Sequence, residues 1–350
     1  MSEPQPILDP LSLAAIFLVV TIDEGGEAQV RDLLADMPGL RRSVGFRLPG
    51  RDLTCVTSIG SSAWDRLFSG PRPAELHEFP GYVGAVHEAP ATPGDLLFHI
   101  KAQTQDGCFE LAMVIGDRLA GAGKIIDQTV GFRYFEQRDL LGFVDGTENP
   151  EGKEAVASAL IGDEDPDFRD GSYVIVQKYT HPLDEWRALS TEEQERVIGR
   201  TKLDDFELSD AEKPANSHVA VNTIEEADGT ERKILRANMP FGSVKDGEFG
   251  TYYVAYAATP SVTELMLQRM FVGTEEAAYD RILDFSVAVT GTSFFTPAND
   301  FFDELPPPPE QASTAAGESP ESSGVETTGM SAPFETGHGS LGIGTLKRSR

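Results

Sequence analysis

Cysteine is scarce in this sequence, which has only Cys55 and Cys108 among its 350 residues. Two thiols are too few for a disulfide framework, a four-thiolate zinc site or an iron–sulfur cluster, and such low usage is typical of a reducing compartment. A Cys-x-x-Cys-His string is missing as well, so any haem would be held without thioether links. We therefore expect a cytoplasmic protein whose chemistry does not use cysteine.

Positive charge and long apolar runs are also in short supply. The 29 basic residues face 57 acidic ones, and the net charge of -28 repels both nucleic acid and anionic lipid surfaces. The apolar run Leu11 to Ile22 is shorter than the ~20 residues of a membrane span and lacks the preceding positive charge of a signal peptide. We interpret this run as a buried strand, and we expect neither a nucleic-acid nor a membrane partner.

Closely spaced histidine pairs are missing too. The six histidines stand at positions 77, 87, 99, 181, 218 and 338, and none has the His-x-x-x-His spacing of a zinc site. A single histidine is enough to bind haem iron. His218 stands in Asn216-Ser-His-Val-Ala-Val-Asn222, which we interpret as a polar turn that leads into an apolar strand. On its pattern alone, His218 is better interpreted as an ordinary histidine.

The sequence does contain a repeated strand–helix pattern. The predicted units are Leu13–Ile22 with a helix that ends at Pro38-Gly39, Leu96–Thr104 with a helix through Phe109–Met113, Ser172–Tyr179 with a helix opened by the capping box Ser190–Glu193, and Tyr252–Thr259 with a helix through Glu264–Leu267. Such repetition favours an α+β fold of two duplicated split βαβ lobes, each an antiparallel sheet with helices on one face.

The composition also predicts where these lobes end. Loop-like stretches follow Asn149 and Gly162, so we expect an N-terminal lobe over residues 1–155 and a C-terminal lobe over 156–304. From Pro306 the chain becomes rich in Pro, Ser, Thr, Gly and Glu, which predicts a disordered linker over 305–338. Apolar residues then return in 339–350 beside basic ones, which a linker does not need.

Two further segments could carry chemistry. Gly142-Phe-Val-Asp-Gly-Thr-Glu-Asn-Pro150 places Asp145 between glycines after an apolar run, although by itself this is a common turn signal. Lys233-Ile-Leu-Arg-Ala-Asn-Met-Pro-Phe-Gly242 predicts a strand that runs into a Pro-Phe-Gly turn. Period-two alternation puts Arg236 and Asn238 on one side of that strand.

Taken together, these segments resemble the dye-decolourising peroxidase family, and in particular its compact bacterial subgroup. The family's Gly-x-x-Asp-Gly motif is matched by Gly142 to Gly146, its haem-ligating histidine by His218 and its distal arginine by Arg236, over a similarity that covers residues 11 to 303. The resemblance implies two ferredoxin-like lobes, one non-covalent haem b per chain, hydrogen peroxide as substrate and an organic or metal-ion electron donor. We also expect a homo-oligomer.

The resemblance assigns roles that suit the residue types. Peroxide cleavage needs a base for proton transfer, here Asp145, and a fixed donor for the charge that grows on the leaving oxygen, here Arg236. The remaining implied roles are peroxide orientation by Asn238, haem-edge contacts by Gly146, Thr147, Glu148 and Arg236, axial ligation of the iron by His218, and support of that ligand by Asp280, with Asp284 as the alternative.

The C-terminal peptide resembles the cargo-loading tails of enzymes held inside encapsulin nanocompartments. It ends in Gly339-Ser-Leu-Gly-Ile-Gly-Thr-Leu-Lys, where Leu341, Ile343 and Leu346 could each enter a pocket of the shell protein. We therefore expect a peroxidase packaged in such a compartment. One alternative is a non-catalytic haem-binding or haem-iron-releasing protein, which would use the same fold and the same His218. Another is a protein-interaction scaffold without haem, whose tail docks to a shell.

Overall fold

Two similar strand arrangements are joined in one sheet. The computed structural model describes residues 3–310, and within this range ten strands form the large sheet and two form a separate hairpin. The strands are β1 (Ala14–Ile22), β2 (Thr54–Gly60), β3 (Tyr82–Val83), β4 (Glu88–Ala89), β5 (Leu96–Ala102), β6 (Gly123–Phe132), β7 (Ser172–Thr180), β8 (Leu235–Arg236), β9 (Met239–Ser243), β10 (Glu248–Ala257), β11 (Val287–Ala288) and β12 (Thr292–Thr296).

The helices lie between these strands. They are α1 (Glu27–Phe46), α2 (Ser61–Leu67), α3 (Gln105–Leu119), α4 (Gly152–Ala159), α5 (Leu183–Ala188), α6 (Thr191–Ile198), α7 (His218–Asn222) and α8 (Pro260–Phe271), with 3₁₀ turns at Phe135–Gln137, Pro166–Phe168, Arg281–Asp284 and Asn299–Phe302. No helix within residues 3–310 is both long and apolar enough to cross a membrane.

The strand order shows the duplication. The N-terminal half is ordered β6-β1-β5-β2 and the C-terminal half β12-β7-β10-β8, with β9 also pairing β10 and β11 pairing β7. In each half the order is fourth, first, third and second strand of its own βαββαβ unit, and all these pairings are antiparallel. The expected α+β fold of two ferredoxin-like lobes is therefore confirmed.

The halves are joined at one edge and through one core. Ile59 of β2 pairs with Phe295 of β12, which makes the sheet continuous. Phe17 of β1 stacks on Tyr252 of β10, with ring centroids 4.2 Å apart. Full burial of each such ring stabilises the fold by ~1.5–3 kcal/mol. The lobe boundary between residues 155 and 156 stays a prediction.

Three local predictions are corrected by packing. Helix α1 continues through Pro38 to Phe46, because core packing on both sides of Pro38, including that of Val44, offsets the lost hydrogen bond and the steric cost of an interior proline. The Pro-Phe-Gly string lies inside β9, where it pairs with β10, rather than in a turn. The predicted linker begins too early, since the Pro307 carbonyl accepts a hydrogen bond from the Ser69 amide at 2.8 Å.

The helix starts that the sequence predicted are confirmed. The Ser190 hydroxyl accepts a hydrogen bond from the Glu193 amide at 3.2 Å, as a capping box requires. Thr104 and Thr259, the last residues of two of the predicted strands, are the N-cap residues of α3 and α8. The chain therefore passes from each of these predicted strands into a helix.

Candidate active site

A cavity lies on the face of β7 and β10 that is turned away from the shared core. Its empty space, including the open mouth, is about 1390 Å³. The wall is formed by segment 139–148, segment 231–238, the strands β7 and β10 and the helices α7 and α8. A cleft built from several elements is the usual form of a cofactor or substrate site.

His218 enters this cavity from the first position of α7. The predicted apolar strand after it is wrong: residues 218–222 form a helix, because the Ser217 hydroxyl caps it by accepting a bond from the Ala220 amide. The ring is about a quarter exposed, with 27% of its side-chain surface accessible. The short helix thus presents one imidazole at the cavity wall.

Asp280 holds that imidazole in one tautomer. Its Oδ2 lies 2.7 Å from His218 Nδ1, and its side chain has no exposed surface. The same carboxylate accepts bonds from Asn222 Nδ2 at 3.2 Å and, through Oδ1, from the Ile282 amide at 3.0 Å. Because Nδ1 donates its proton to a carboxylate, Nε2 is left as the atom with a free lone pair.

Asp284 occupies a different position from Asp280. It ends a 3₁₀ turn rather than sharing an α-helical face with Asp280, and its Oδ1 lies 3.1 Å from Nε2 of His87. The sequence left these two acids as alternatives for the support of His218. The contact with His218 belongs to Asp280.

A second histidine, His181, also lines the cavity, but both of its ring nitrogens are engaged in hydrogen bonds within the protein. Its Nε2 is 3.0 Å from the Thr251 hydroxyl, and its Nδ1 is 3.2 Å from the Phe285 carbonyl and 3.0 Å from the Ser286 hydroxyl. Burial lowers the pKa of His181 to about 4, although the bond to the Phe285 carbonyl opposes this shift. His181 is therefore a neutral, fully engaged side chain of the wall.

Asp145 and Asn238 form a connected pair on the wall. Asn238 Nδ2 donates to Asp145 Oδ1 at 3.3 Å, and Asn238 Oδ1 accepts from the Val254 amide of β10 at 3.1 Å. The backbone bond from Val254 fixes which end of the Asn238 amide points at Asp145. Oδ2 of Asp145 is the carboxylate atom that this contact leaves open.

Arg236 lines the cavity beside Asn238, as period-two alternation predicts. Within residues 3–310 no side chain forms an ion pair with its guanidinium. Burial raises the pKa of Tyr253, which stands on the same wall, well above its ordinary value, and the nearby Arg236 charge opposes that rise. The Arg236 side chain is thus half-buried, and its guanidinium can donate hydrogen bonds to a ligand.

Asn149 is a residue that the sequence interpretation missed. Its side-chain amide bonds both backbone groups of Arg236: Nδ2 donates to the Arg236 carbonyl at 2.8 Å, and Oδ1 accepts from the Arg236 amide at 3.0 Å. This pair of bonds fastens the loop that carries Asp145 to the strand that carries Arg236. The only sequence signal was an asparagine four residues after Asp145.

The residues expected at the haem edge also line the cavity. Gly146 has a positive φ of 85°, a conformation that suits glycine, and Thr147 donates to Asp205 Oδ2 at 2.6 Å. Glu148 pairs with Arg200 at 2.6 Å. Arg200, which also contacts Asp205 at 3.0 Å, ties these rim residues together through its ion pairs.

The donor set fits haem better than a bare metal ion. Within residues 3–310 no group of three or more His, Cys, Asp or Glu side chains could hold a metal. Burial raises the pKa of Cys55 and of Cys108 to about 12, so neither supplies a thiolate. A single imidazole with a free Nε2 suits haem, because the porphyrin would supply the other nitrogen ligands of the iron.

Comparison with known proteins agrees with this geometry. The model of the Dyp-type peroxidase N-terminal domain matches residues 4–133, and that of the C-terminal domain matches residues 136–301. The chain belongs to the Dyp-type peroxidase family. A dye-decolorizing peroxidase of Rhodococcus erythropolis is 58% identical over 346 residues, which cover 99% of this chain and 97% of that protein.

Solved structures of Dyp-type peroxidases share the fold. The encapsulated DyP-type peroxidase from Mycobacterium smegmatis, solved by cryo-electron microscopy, has a TM-score of 0.87 and 62% identity over 88% of this chain and 100% of that one. A variant of Rhodococcus jostii DypB in complex with haem has a TM-score of 0.83 and 55% identity over 86% and 98%. Of the predicted site residues, only Leu341, Ile343 and Leu346 lie outside the residues that the structure describes.

Proposed function

We propose that this protein is a haem-dependent peroxidase that reduces hydrogen peroxide with electrons from dyes, phenols or similar donors. The proposal depends on one observation: a histidine that can bind haem iron lines the same cavity as a set of side chains that can cleave peroxide. His218, backed by Asp280, offers a free Nε2, and Asp145, Arg236 and Asn238 supply a base, a cation and an amide. Membership of the Dyp-type peroxidase family supports both the haem and the reaction.

His218 would bind the haem iron through Nε2. Donation of its Nδ1 proton to Asp280 makes Nε2 more basic and holds the ring at a fixed angle. When bound, haem would supply the iron that binds peroxide and the redox capacity to oxidise a donor. Gly146, Thr147 and Glu148 would lie against its edge.

Asp145 is the proposed base. Its Oδ2 can take a proton from one peroxide oxygen and return it to the other, while Asn238 holds Oδ1. Arg236 would stabilise the negative charge that grows on the departing oxygen, because its side chain lines the cavity and, among residues 3–310, forms no ion pair that would compete for the guanidinium. A protein that only carried haem would gain nothing from this combination.

Packaging in an encapsulin compartment is a second part of the proposal. The peptide 339–350, with Leu341, Ile343 and Leu346 separated by small residues, has the form of a segment that docks in an extended conformation. The Mycobacterium smegmatis relative was solved as an encapsulated protein, which supports the same assembly here. The protein would then act in the cytoplasm inside a shell, and its self-association stays a prediction.

The function is tested by comparing haem binding and peroxide-dependent dye oxidation in the wild type, His218→Ala and His77→Ala. His77 is the control because it lies outside the cavity and contacts Glu264. We expect His218→Ala to fold but to lose bound haem and dye oxidation, and His77→Ala to keep both. A wild type that binds haem without consuming peroxide would instead support the haem-carrier alternative.

A further inference from the structure

Two carboxylates on the cavity wall have no basic partner among residues 3–310. Four acidic side chains line the cavity: Asp139, Asp145, Glu148 and Glu231. The last two each contact a basic side chain. Within the described part of the chain neither Asp139 nor Asp145 forms an ion pair. Asp139 was not singled out by its sequence, and the proposed cleavage of peroxide does not use it.

Asp139 and Asp145 project from one face of a tight hairpin. The Asp139 amide donates to the Phe143 carbonyl at 2.8 Å, and the Phe143 amide donates to Asp139 Oδ1 at 2.9 Å. The Asp145 amide donates to the Gln137 carbonyl at 2.9 Å, and the residues between these pairs form an antiparallel bridge. Side chains alternate along such strands, so positions 139 and 145 are diagonal neighbours ~7–8 Å apart.

The surroundings of Asp139 favour a protonated carboxyl that can still ionise. Burial raises its pKa to about 7, the bond from the Phe143 amide opposes this, and the charge of Asp145 adds to the rise. The basic groups nearby form no ion pair with Asp139, although burial lowers the pKa of Lys202 and the Asp139 charge opposes that shift. Lys202 lies over the Phe143 ring, 5.5 Å from its centroid, and Arg138 donates to three backbone carbonyls and pairs with Glu136.

The proposed reaction consumes protons that a carboxyl group of this kind can deliver. Reduction of one hydrogen peroxide to two waters consumes two electrons from the donor and two protons from outside the peroxide. We propose that Asp139 relays these protons: its carboxyl O–H passes a proton through one water to Asp145, and solvent then reprotonates Asp139. Oδ1 of Asp139 stays bonded to Phe143, so Oδ2 is the relay atom. The inference rests on the proposed peroxidase function.

The test compares Asp139→Asn with Glu136→Gln in the haem-loaded, full-length protein. The carboxamide that Asp139→Asn introduces keeps an oxygen for the Phe143 amide but cannot release a proton, whereas Glu136 is an exposed acid of the same hairpin, with 77% of its side chain accessible. We expect Asp139→Asn to slow steady-state turnover roughly 10²-fold, at the low end for positioned proton-transfer groups. The pH dependence of turnover near neutrality should also disappear, and small buffer acids should restore part of the rate. Glu136→Gln should resemble the wild type.

A second readout does not depend on turnover. Infrared difference spectra recorded between about pH 5 and 9, a window that brackets a carboxyl pKa of about 7, should contain a band that titrates near neutrality in the wild type and is missing from Asp139→Asn. Asp139→Glu should restore a titrating band. Wild-type turnover and an unchanged pH profile in Asp139→Asn, or a wild type without the band, would overturn the relay. A wild type that does not react with peroxide at all would instead overturn the proposed function.

Discussion

His218 Nδ1 lies 2.7 Å from Asp280 Oδ2, and Asp280 has no exposed surface, so the proposed axial ligand is backed by a fully buried carboxylate. The backbone fixes this pair as firmly as the side chains do. The Asp280 amide donates to the Met270 carbonyl of α8 at 2.9 Å, and the Arg281 amide donates to the Asn216 carbonyl at 3.0 Å. The segments that carry His218 and Asp280 are therefore joined through the backbone as well as through the side chains.

The support of His218 is tested by Asp280→Asn against Asp284→Asn. The carboxamide introduced by Asp280→Asn can keep the bond from the Ile282 amide but loses the negative charge, so His218 becomes less basic. We expect haem affinity to fall roughly 10- to 100-fold and the reduction potential of the haem to rise. Asp284→Asn should change neither, because Asp284 contacts His87. Haem titration and spectroelectrochemistry give both values, and equal effects of the two substitutions would reject the assignment.

The link between the Asp145 loop and the Arg236 strand is tested by Asn149→Ala. Loss of two hydrogen bonds to the Arg236 backbone should cost ~1–3 kcal/mol of unfolding free energy, measured by denaturant titration. A displacement of about 1 Å should also slow the reaction with peroxide roughly 10²-fold, while haem still binds. Asn149→Asp, which keeps the acceptor but loses the donor, should be intermediate. A stable and fully active Asn149→Ala would show that this link is dispensable.

The low pKa of His181 predicts how stability depends on pH. Its folded-state pKa of about 4 lies below the unfolded value of ~6.5, so acidification protonates the unfolded chain first and stability falls as pH drops through this window. The contribution is at most about 3 kcal/mol. Chemical denaturation of haem-free protein at several pH values should show a smaller decline for His181→Asn than for the wild type. His77→Asn is the exposed control, and parallel curves for all three would contradict the prediction.

Packaging is tested by co-expressing the encapsulin shell protein with either the full-length chain or a chain that lacks residues 339–350. We expect the truncated enzyme to keep its turnover but to stay outside purified shells. A full-length variant with Leu341, Ile343 and Leu346 each changed to Asp should behave in the same way, which separates apolar docking from tail length. Equal loading of truncated and full-length enzyme would remove the docking role of this peptide.

Local patterns predicted the elements of the fold, and partners distant in sequence determined the rest. The strand β1 and the helix starts at Ser190, Thr104 and Thr259 depend on neighbours within a few residues, so they could be predicted. The five-residue helix that begins at His218 has too few residues for a periodic signal, although its Ser217 cap is a local feature. The end of α1 was predicted too early because packing against residues distant in sequence stabilises the helix by more than Pro38 destabilises it.

The site shows the same division. The residue types of Asp145, Arg236 and His218 in their family order were enough to single them out. Asn149 contacts Arg236 across 87 positions of sequence, and no local pattern encodes such a pair. Asp139 differs again, since its raised pKa comes from burial and from the charge of Asp145, and burial is known only once the hairpin is folded.

The central claim is that the cavity cleaves peroxide with the help of Arg236, and stopped-flow mixing with hydrogen peroxide tests it most directly. Haem-loaded wild type, Arg236→Leu and Arg232→Leu are compared; Arg232 also lines the cavity, but it is already paired with Glu226 at 2.7 Å. We predict a rapid change of haem absorbance in the wild type and in Arg232→Leu, and a rate roughly 10²- to 10³-fold lower in Arg236→Leu. An Arg236→Leu protein that reacts as fast as the wild type would contradict the claim.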